Sequence, residues 1–382
     1  MTSVPPLAAV LATVPDFRAA RGKRHPLCAL LLLACVAMLC GARGESAIAE
    51  WAANYPHWRT RLGFTHATGP SQSTIQRLFL GLDVGVLETC LSGWATQVLA
   101  ACPHDRAVLP FEAMAIDGKT LCTSKQGGAH DAHLVSALSQ RLGLVLAQVA
   151  VPDKTNDAAQ WAPAAIDDLL AQLVLTGWVV TTDALFTQRE IATTMLAAAG
   201  DYLMEVKGNQ PTLLEEITVV FADPDLPVTQ AQETRLHGSR IETRVLRAST
   251  QLNGYTDWPG LAQALCVERR VTHKATGETR YEVAYAVTSL SPAQATPAQL
   301  LRLWREHWHI ETRLHWVRDV TYDEDRSTVR AGTIPQAMAA IRNTAIGVMR
   351  VQGITNIAAA CRRFAAQPAL ALAALGLATN NE

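Results

Sequence analysis

This chain has no C-x-x-C cysteine pair, almost no net charge and no apolar run long enough to cross a membrane. Its eight cysteines are scattered without a C-x-x-C pair, mostly among apolar neighbours. That argues against a disulfide or thiolate-metal framework and reads as reduced core residues in a cytosol. The formal charge of -1 gives no whole-protein reason to expect nucleic acid, so polyanion binding has to come from local basic patches. The apolar run from Leu27 to Ala42 follows Arg18, Arg21, Lys23 and Arg24 and so superficially resembles a signal peptide. The segment before it is too long and carries Asp16, and the run falls short of the roughly 18 residues of a membrane span. A buried helix is the better reading, with no membrane partner and a cytoplasmic location.

What is present is a chain of 382 residues, 49% hydrophobic and 18% charged, enough for sizeable cores in two or three domains. Residues 1–106 read as helical, with apolar positions at Ile48, Trp51 and Ala52, then Ile75, Leu78 and Phe79, then Leu87, Leu91, Trp94 and Val98. Ser71 supplies a helix start, which puts Arg77 near the beginning of a helix that could read DNA or merely expose a solvated charge. From 107 to 210 strand and helix patterns alternate in an α/β order, with a hairpin turning at Gln140-Arg141. A β-rich insert is expected at about 211–295, with strands at 243–248, 265–272 and 281–288. Helical periodicity then returns from Ala298 to Arg350, and no internal repeat is visible.

Three acids carry the functional reading. Asp117 and Asp183 each end an apolar run of strand character, 113–116 and 178–182, while Glu311 lies in what reads as an amphipathic helix. Carboxylates fixed on strand ends and a helix can converge on divalent cations, as a two-metal phosphoryl-transfer site requires. Taken singly, each has a bland alternative: Asp117-Gly118 is a common turn, and Asp183 suits a cap. Trp304, His307, Trp308, His315 and Arg318 share the helical sector of Glu311, a face that could add cationic phosphate contacts and aromatic surfaces. His307, Glu311 and His315 at i, i+4, i+8 match no H-E-x-x-H zinc arrangement. Glu324, in the acidic group with Asp319, Asp323 and Asp325, competes for the role of third ligand. Lys207-Gly208-Asn209-Gln210 closes a strand with polar residues that suit a phosphate-touching loop or an ordinary turn.

These residues fall within a series of ordered motifs. They run from Val14-Pro15-Asp16-x-Arg18 and Ile48-Ala49-Glu50-Trp51 through Ala115-Ile116-Asp117-Gly118-Lys119, His133-Leu134-Val135-Ser136-Ala137 and Lys154-Thr155-Asn156. Asp183-Ala184-Leu185-x-Thr187-Gln188, the 207–210 loop and His307-Trp308-His309-Ile310-Glu311 complete the series. Over nearly its whole length the chain resembles the DDE transposases of bacterial insertion sequences, specifically the H-repeat-associated kind. The resemblance implies a ribonuclease H-like core in residues 107–382, interrupted by the insert, with Asp117, Asp183 and Glu311 as the metal-binding triad. It implies Mg²⁺, with Mn²⁺ able to substitute, and cleavage at element ends followed by strand transfer into target DNA. Related transposases carry a Tyr, Arg, Glu, Lys signature around the glutamate; here its positions fall on Trp304, His307, Glu311 and Arg318, and only the glutamate is unchanged. Asp157 stands where the family often has Glu.

On that reading the expected DNA contacts are Lys119, Lys207, Asn209, Gln210, Trp304, His307 and Arg318 near the triad, with Arg18, Arg21, Lys23, Arg24 and Arg77 in the N-terminal segment. A homodimer on DNA is expected, since two ends must be held together, and association with the nucleoid follows from DNA binding. The competing functions are a DNA-binding relative that has lost catalysis and a ribonuclease H-like nuclease that cuts without joining.

Overall fold

A computed structural model of the chain describes residues 6–121, 133–151, 158–329 and 331–377. Lys154-Thr155-Asn156, Asp157 and Cys122 lie outside the described residues. The fold is mixed α/β with nine strands among the described residues: β1 (Glu112–Thr120), β2 (His133–Ser139), β3 (Val145–Val151), β4 (Trp178–Thr182), β5 (Asp201–Val206), β6 (Thr229–His237), β7 (Arg240–Ser249), β8 (Gln263–His273) and β9 (Thr279–Thr288). The chain divides into two compact units, one of Met1–His104, Gly118–Asp153 and Ile310–Glu382, the other of Asp105–Asp117 and Lys154–His309.

The second of these is built on a sheet ordered β1-β4-β5-β9-β8-β7-β6. Strands β1, β4 and β5 run parallel, and every later pair is antiparallel. Helix Pro297–His307 covers one face. Its start is fixed by a capping box between Thr296 and Gln299 and by Pro297 in the first turn, and it buries Leu300, Leu301 and Leu303 against Val179, Leu203, Leu246, Leu265 and Val267. The three strands expected in the insert are present, each somewhat longer than its apolar run. Two elements were not foreseen. Helix Pro211–Ala222 packs on β8 and β9, and β6 is an edge strand of largely exposed polar residues, TQAQETRLH. The half-covered positions of β6, Ala231 and Glu233, carry too little apolar surface to set up an alternation that would betray it.

The other unit is mostly helical. Leu27–Leu39 is buried on all sides except near Cys28 and packs against Ile334–Val351 and Glu45–Asn54, so the run with the look of a signal peptide is a core helix. Among the described residues no single helix is long and apolar enough to cross a membrane. Helix Gln72–Gly81 is capped by Ser71, whose hydroxyl accepts from the Thr74 amide at 3.3 Å. The β2-β3 hairpin turns through Gly143, which adopts φ +68°. At the centre of this unit Arg318, Glu324 and Arg342 form a buried ionic triad. One Glu324 oxygen sits 2.7 Å from Arg318 and the other 2.6 Å from Arg342.

Candidate metal centre

The parallel register decides what the sheet presents. Ile116 on β1 pairs with Thr182 on β4, and Thr182 pairs with Met204 on β5. The next residue on each strand is acidic: Asp117, Asp183 and Glu205. Partners in register point the same way, and neighbouring strands lie about 4.8 Å apart, so three carboxylates line up along one row. Glu205 had no part in the sequence reading, because nothing in a single chain reveals which strand neighbours which.

Asp117 does not leave its strand at a turn, as Asp-Gly had suggested, since β1 continues to Thr120. Gly118 is required for space: a Cβ there would lie 2.5 Å from Nε2 of His133. Asp183 does begin a turn, Ala184–Phe186, and its Oδ1 accepts from the Leu185 amide at 3.2 Å. Burial, then the charge of Asp117 and to a lesser degree that of Glu205, push the Asp183 carboxyl up to about 6 against the pull of the Phe186 and Leu185 amides. A hard cation bound by oxygen ligands would relieve that repulsion, so this donor set fits Mg²⁺ or Mn²⁺.

Around the row, His307 is partly buried with Nδ1 3.0 Å from the Thr181 hydroxyl. Burial holds its pKa below the usual imidazole value despite Asp117 and Glu205, which favours the neutral ring over a cationic phosphate contact. Lys207 pairs with Glu205 at 2.9 Å and remains largely exposed. Both line a cavity of about 380 Å³ together with Arg244, Arg269, Trp304 and Trp308. Trp304 also packs against the apolar core.

Glu311 lies in the other unit, and its surroundings differ from the continuous α-helix expected. Glu311–His315 is a single π-turn, followed by the short helix Trp316–Val320. The wider turn shifts every later residue off the 3.6-residue sector. His315 is consequently buried with Nδ1 3.3 Å from the Glu311 carboxylate, while Trp316 is half exposed. Arg318 has no exposed surface. Glu324, the rival third ligand, has both oxygens engaged by guanidinium groups. Burial alone would raise its pKa, and Arg318 and Arg342 override that to hold it below the usual carboxylate value.

The transposase DDE domain model matches residues 110–346, and the DDE_Tnp_1-associated model matches residues 8–95. The chain belongs to the transposase DDE domain family. YbfL of Escherichia coli K12 is 30% identical over 354 residues, 89% of each chain. A second relative from the same strain, whose name reads "H repeat-associated putative transposase YhhI", is 29% identical over 89% of each. A protein from the dhlA 3' region of Xanthobacter autotrophicus is 33% identical over 67% of this chain and 86% of its own. The solved piggyBac transposase synaptic complex with hairpin DNA aligns with 97% of this chain and 76% of its own, at a TM-score of 0.42 and 11% identity, too slight a likeness to bear on the fold.

Several residues of this DDE-family chain expected to touch DNA have other work in the structure. Arg318 is enclosed with Glu324, and Lys119 is nearly buried between Asp319 at 2.6 Å and Asp325 at 3.3 Å. Asn209 and Gln210 direct their side-chain amides to backbone carbonyls of the turn that follows Asp183. In the N-terminal segment Arg18 is a structural tie, bonded to Asp16 at 2.9 Å and to the His25 carbonyl at 2.8 Å. Arg21, Lys23, Arg24 and Arg77 are exposed, although Arg24 reaches Thr68 at 2.7 Å and Arg77 returns to the Ser73 carbonyl at 3.0 Å.

Proposed function

We propose that this protein is a DNA transposase that cleaves at insertion-sequence ends and transfers the freed strand to target DNA, with Asp117, Asp183 and Glu311 holding two divalent cations. The observation that carries the reading is the register that delivers Asp117 and Asp183 side by side from β1 and β4, in a chain of the transposase DDE domain family. Glu311 enters as third ligand from the motif it shares with that family. A ribonuclease H-like core, with β6–β9 as the insert between the second and third acids, accords with the parallel β1-β4-β5 arrangement.

Bound cations would neutralise charge on the scissile phosphate and activate the attacking oxygen. The protein's own contribution is positional. Asp117 and Asp183 are fixed by strands whose register cannot slip without exposing a buried face, and His307 is anchored on Thr181 beside them. Lys207, Arg244 and Arg269 line the neighbouring cavity, each ion-paired with a glutamate, and Trp304 and Trp308 give it aromatic walls on which a base of the strand being cut could stack. The exposed Arg21, Lys23, Arg24 and Arg77 of the 1–106 segment supply sequence-independent attraction to duplex DNA. The protein would act in the bacterial cytoplasm on nucleoid DNA, as a homodimer when two ends are paired.

The test is a strand-cleavage and joining assay on duplexes carrying the sequences that flank the gene. Divalent-dependent nicking at one end boundary, followed by joining of the new 3′-hydroxyl to a second duplex, is the expected result. Binding without nicking would instead mark a relative that has lost catalysis, and nicking without joining a plain nuclease.

A further inference from the structure

The two loops that follow β4 and β5 are bonded to each other by three side chains. Thr187, which has no exposed surface, places its hydroxyl 3.1 Å from the Asp183 carbonyl and 2.5 Å from the Glu205 carbonyl, with one proton to share between them. Asn209 donates from Nδ2 to the Ala184 carbonyl at 2.6 Å and to the Thr187 carbonyl at 3.2 Å. Gln210 donates from Nε2 to the Thr187 carbonyl at 3.0 Å. Gln210 is also the residue from which helix Pro211–Ala222 starts, so the 207–210 loop is held by a rigid element at its far end.

The arrangement answers a physical problem. Adjacent carboxylates repel one another, and Asp183 stands just past the last β4–β5 pair, Thr182 with Met204, so its turn can draw away from Glu205 when no cation lies between them. A bond from each loop to the backbone of the other resists that at the acidic residues themselves. We infer that Thr187, Asn209 and Gln210 are positioning residues, a clamp that holds the Asp183 turn against the β5 backbone at Glu205 and so fixes the Asp183 carboxylate for divalent cations, and that Asn209 and Gln210 do this instead of touching DNA. The inference rests on the metal-dependent reading above and assigns a role within it to the two motifs at 183–188 and 207–210.

The measurement is Mn²⁺ affinity of the full-length, DNA-free protein, followed by the electron paramagnetic resonance of unbound Mn²⁺, alongside affinity for end DNA in EDTA. Thr187→Val keeps the shape and removes the hydroxyl, and Thr187→Ser restores it. Thr187→Val and Asn209→Ala should each weaken Mn²⁺ binding about 10- to 100-fold, the usual effect of losing a group that orients a metal ligand. Thr187→Ser should bind as the parent does, and DNA affinity in EDTA should not move in any of them. If Thr187→Val fails to fold, Asn209→Ala and Gln210→Ala carry the test from less enclosed positions. Unchanged Mn²⁺ affinity with weakened DNA binding in Asn209→Ala would overturn the clamp and restore the DNA-contact role. A clamp that behaves as expected in a protein that never cuts DNA would sink only the transposase chemistry.

Discussion

Asp117 and Asp183 occupy equivalent places on neighbouring parallel strands, one residue beyond the paired Ile116 and Thr182. Two like charges so placed destabilise the metal-free protein and prepare it for a cation. Both consequences can be measured.

Asp183→Asn should abolish cleavage and leave DNA binding intact, because it removes a ligand while preserving shape. It should also stabilise the metal-free protein near pH 7.5. The folded-state pKa of Asp183, about 6, lies above its ordinary value, so its favourable contribution exists only at low pH and is lost as pH rises through 6. The neutral amide escapes that penalty, which is on the order of 1–3 kcal/mol. Chemical denaturation in EDTA checks the gain, and a less stable variant at pH 7.5 would refute the assigned cause.

A cation must displace the Asp183 proton below the same pH. Mn²⁺ affinity should therefore decline as pH falls below 6, approaching about tenfold per unit if this is the only proton released. Glu205→Gln removes one of the charges that raise the Asp183 pKa, so its midpoint should move to lower pH. Manganese titrations between pH 5 and 8 distinguish this from an upward or absent shift.

Glu324→Gln tests the buried triad. It leaves Arg318 and Arg342 without their shared anion and should cost about 3–5 kcal/mol in urea unfolding. Because the Glu324 pKa is depressed, its stabilisation is full above the ordinary carboxylate range and disappears as pH falls through the folded value. A variant of parental stability that had lost Mn²⁺ affinity would make Glu324 a ligand and displace Glu311.

The exposed N-terminal cations should act on DNA through charge alone. Replacing Lys23 and Arg24 with Ala should weaken binding to any duplex alike. The slope of log affinity against log salt should fall by about 1 for each phosphate that is no longer neutralised. Sequence-selective weakening would show that this segment reads bases.

How much was legible beforehand follows from what one-dimensional patterns contain. The apolar β-forming runs before Asp117 and Asp183 marked two strands, although β1 runs on past Asp117 to Thr120, and the apolar 27–39 segment marked a core helix, because burial there depends on composition along the chain. Glu205 was hidden because its place beside Asp183 is a matter of strand order and register. The β6 edge escaped for want of an apolar face, and the π-turn at Glu311 because a one-residue phase shift over so short a segment looks like ordinary scatter in helical spacing. Lys119 looked like a phosphate ligand until its distant partners Asp319 and Asp325 came into view, and Arg318 until Glu324 proved to be folded back onto it.

Everything proposed for catalysis requires Asp117, Asp183 and Glu311 to share divalent cations. Iron(II) can replace Mg²⁺ at carboxylate sites, and with ascorbate and peroxide it cleaves the backbone only where it is bound. Sequencing the fragments from the full-length protein should place breaks near residues 117, 183 and 311, all suppressed by excess Mg²⁺. Breaks near 117 and 183 that never extend to 311, or a pattern indifferent to Mg²⁺, would contradict the shared site.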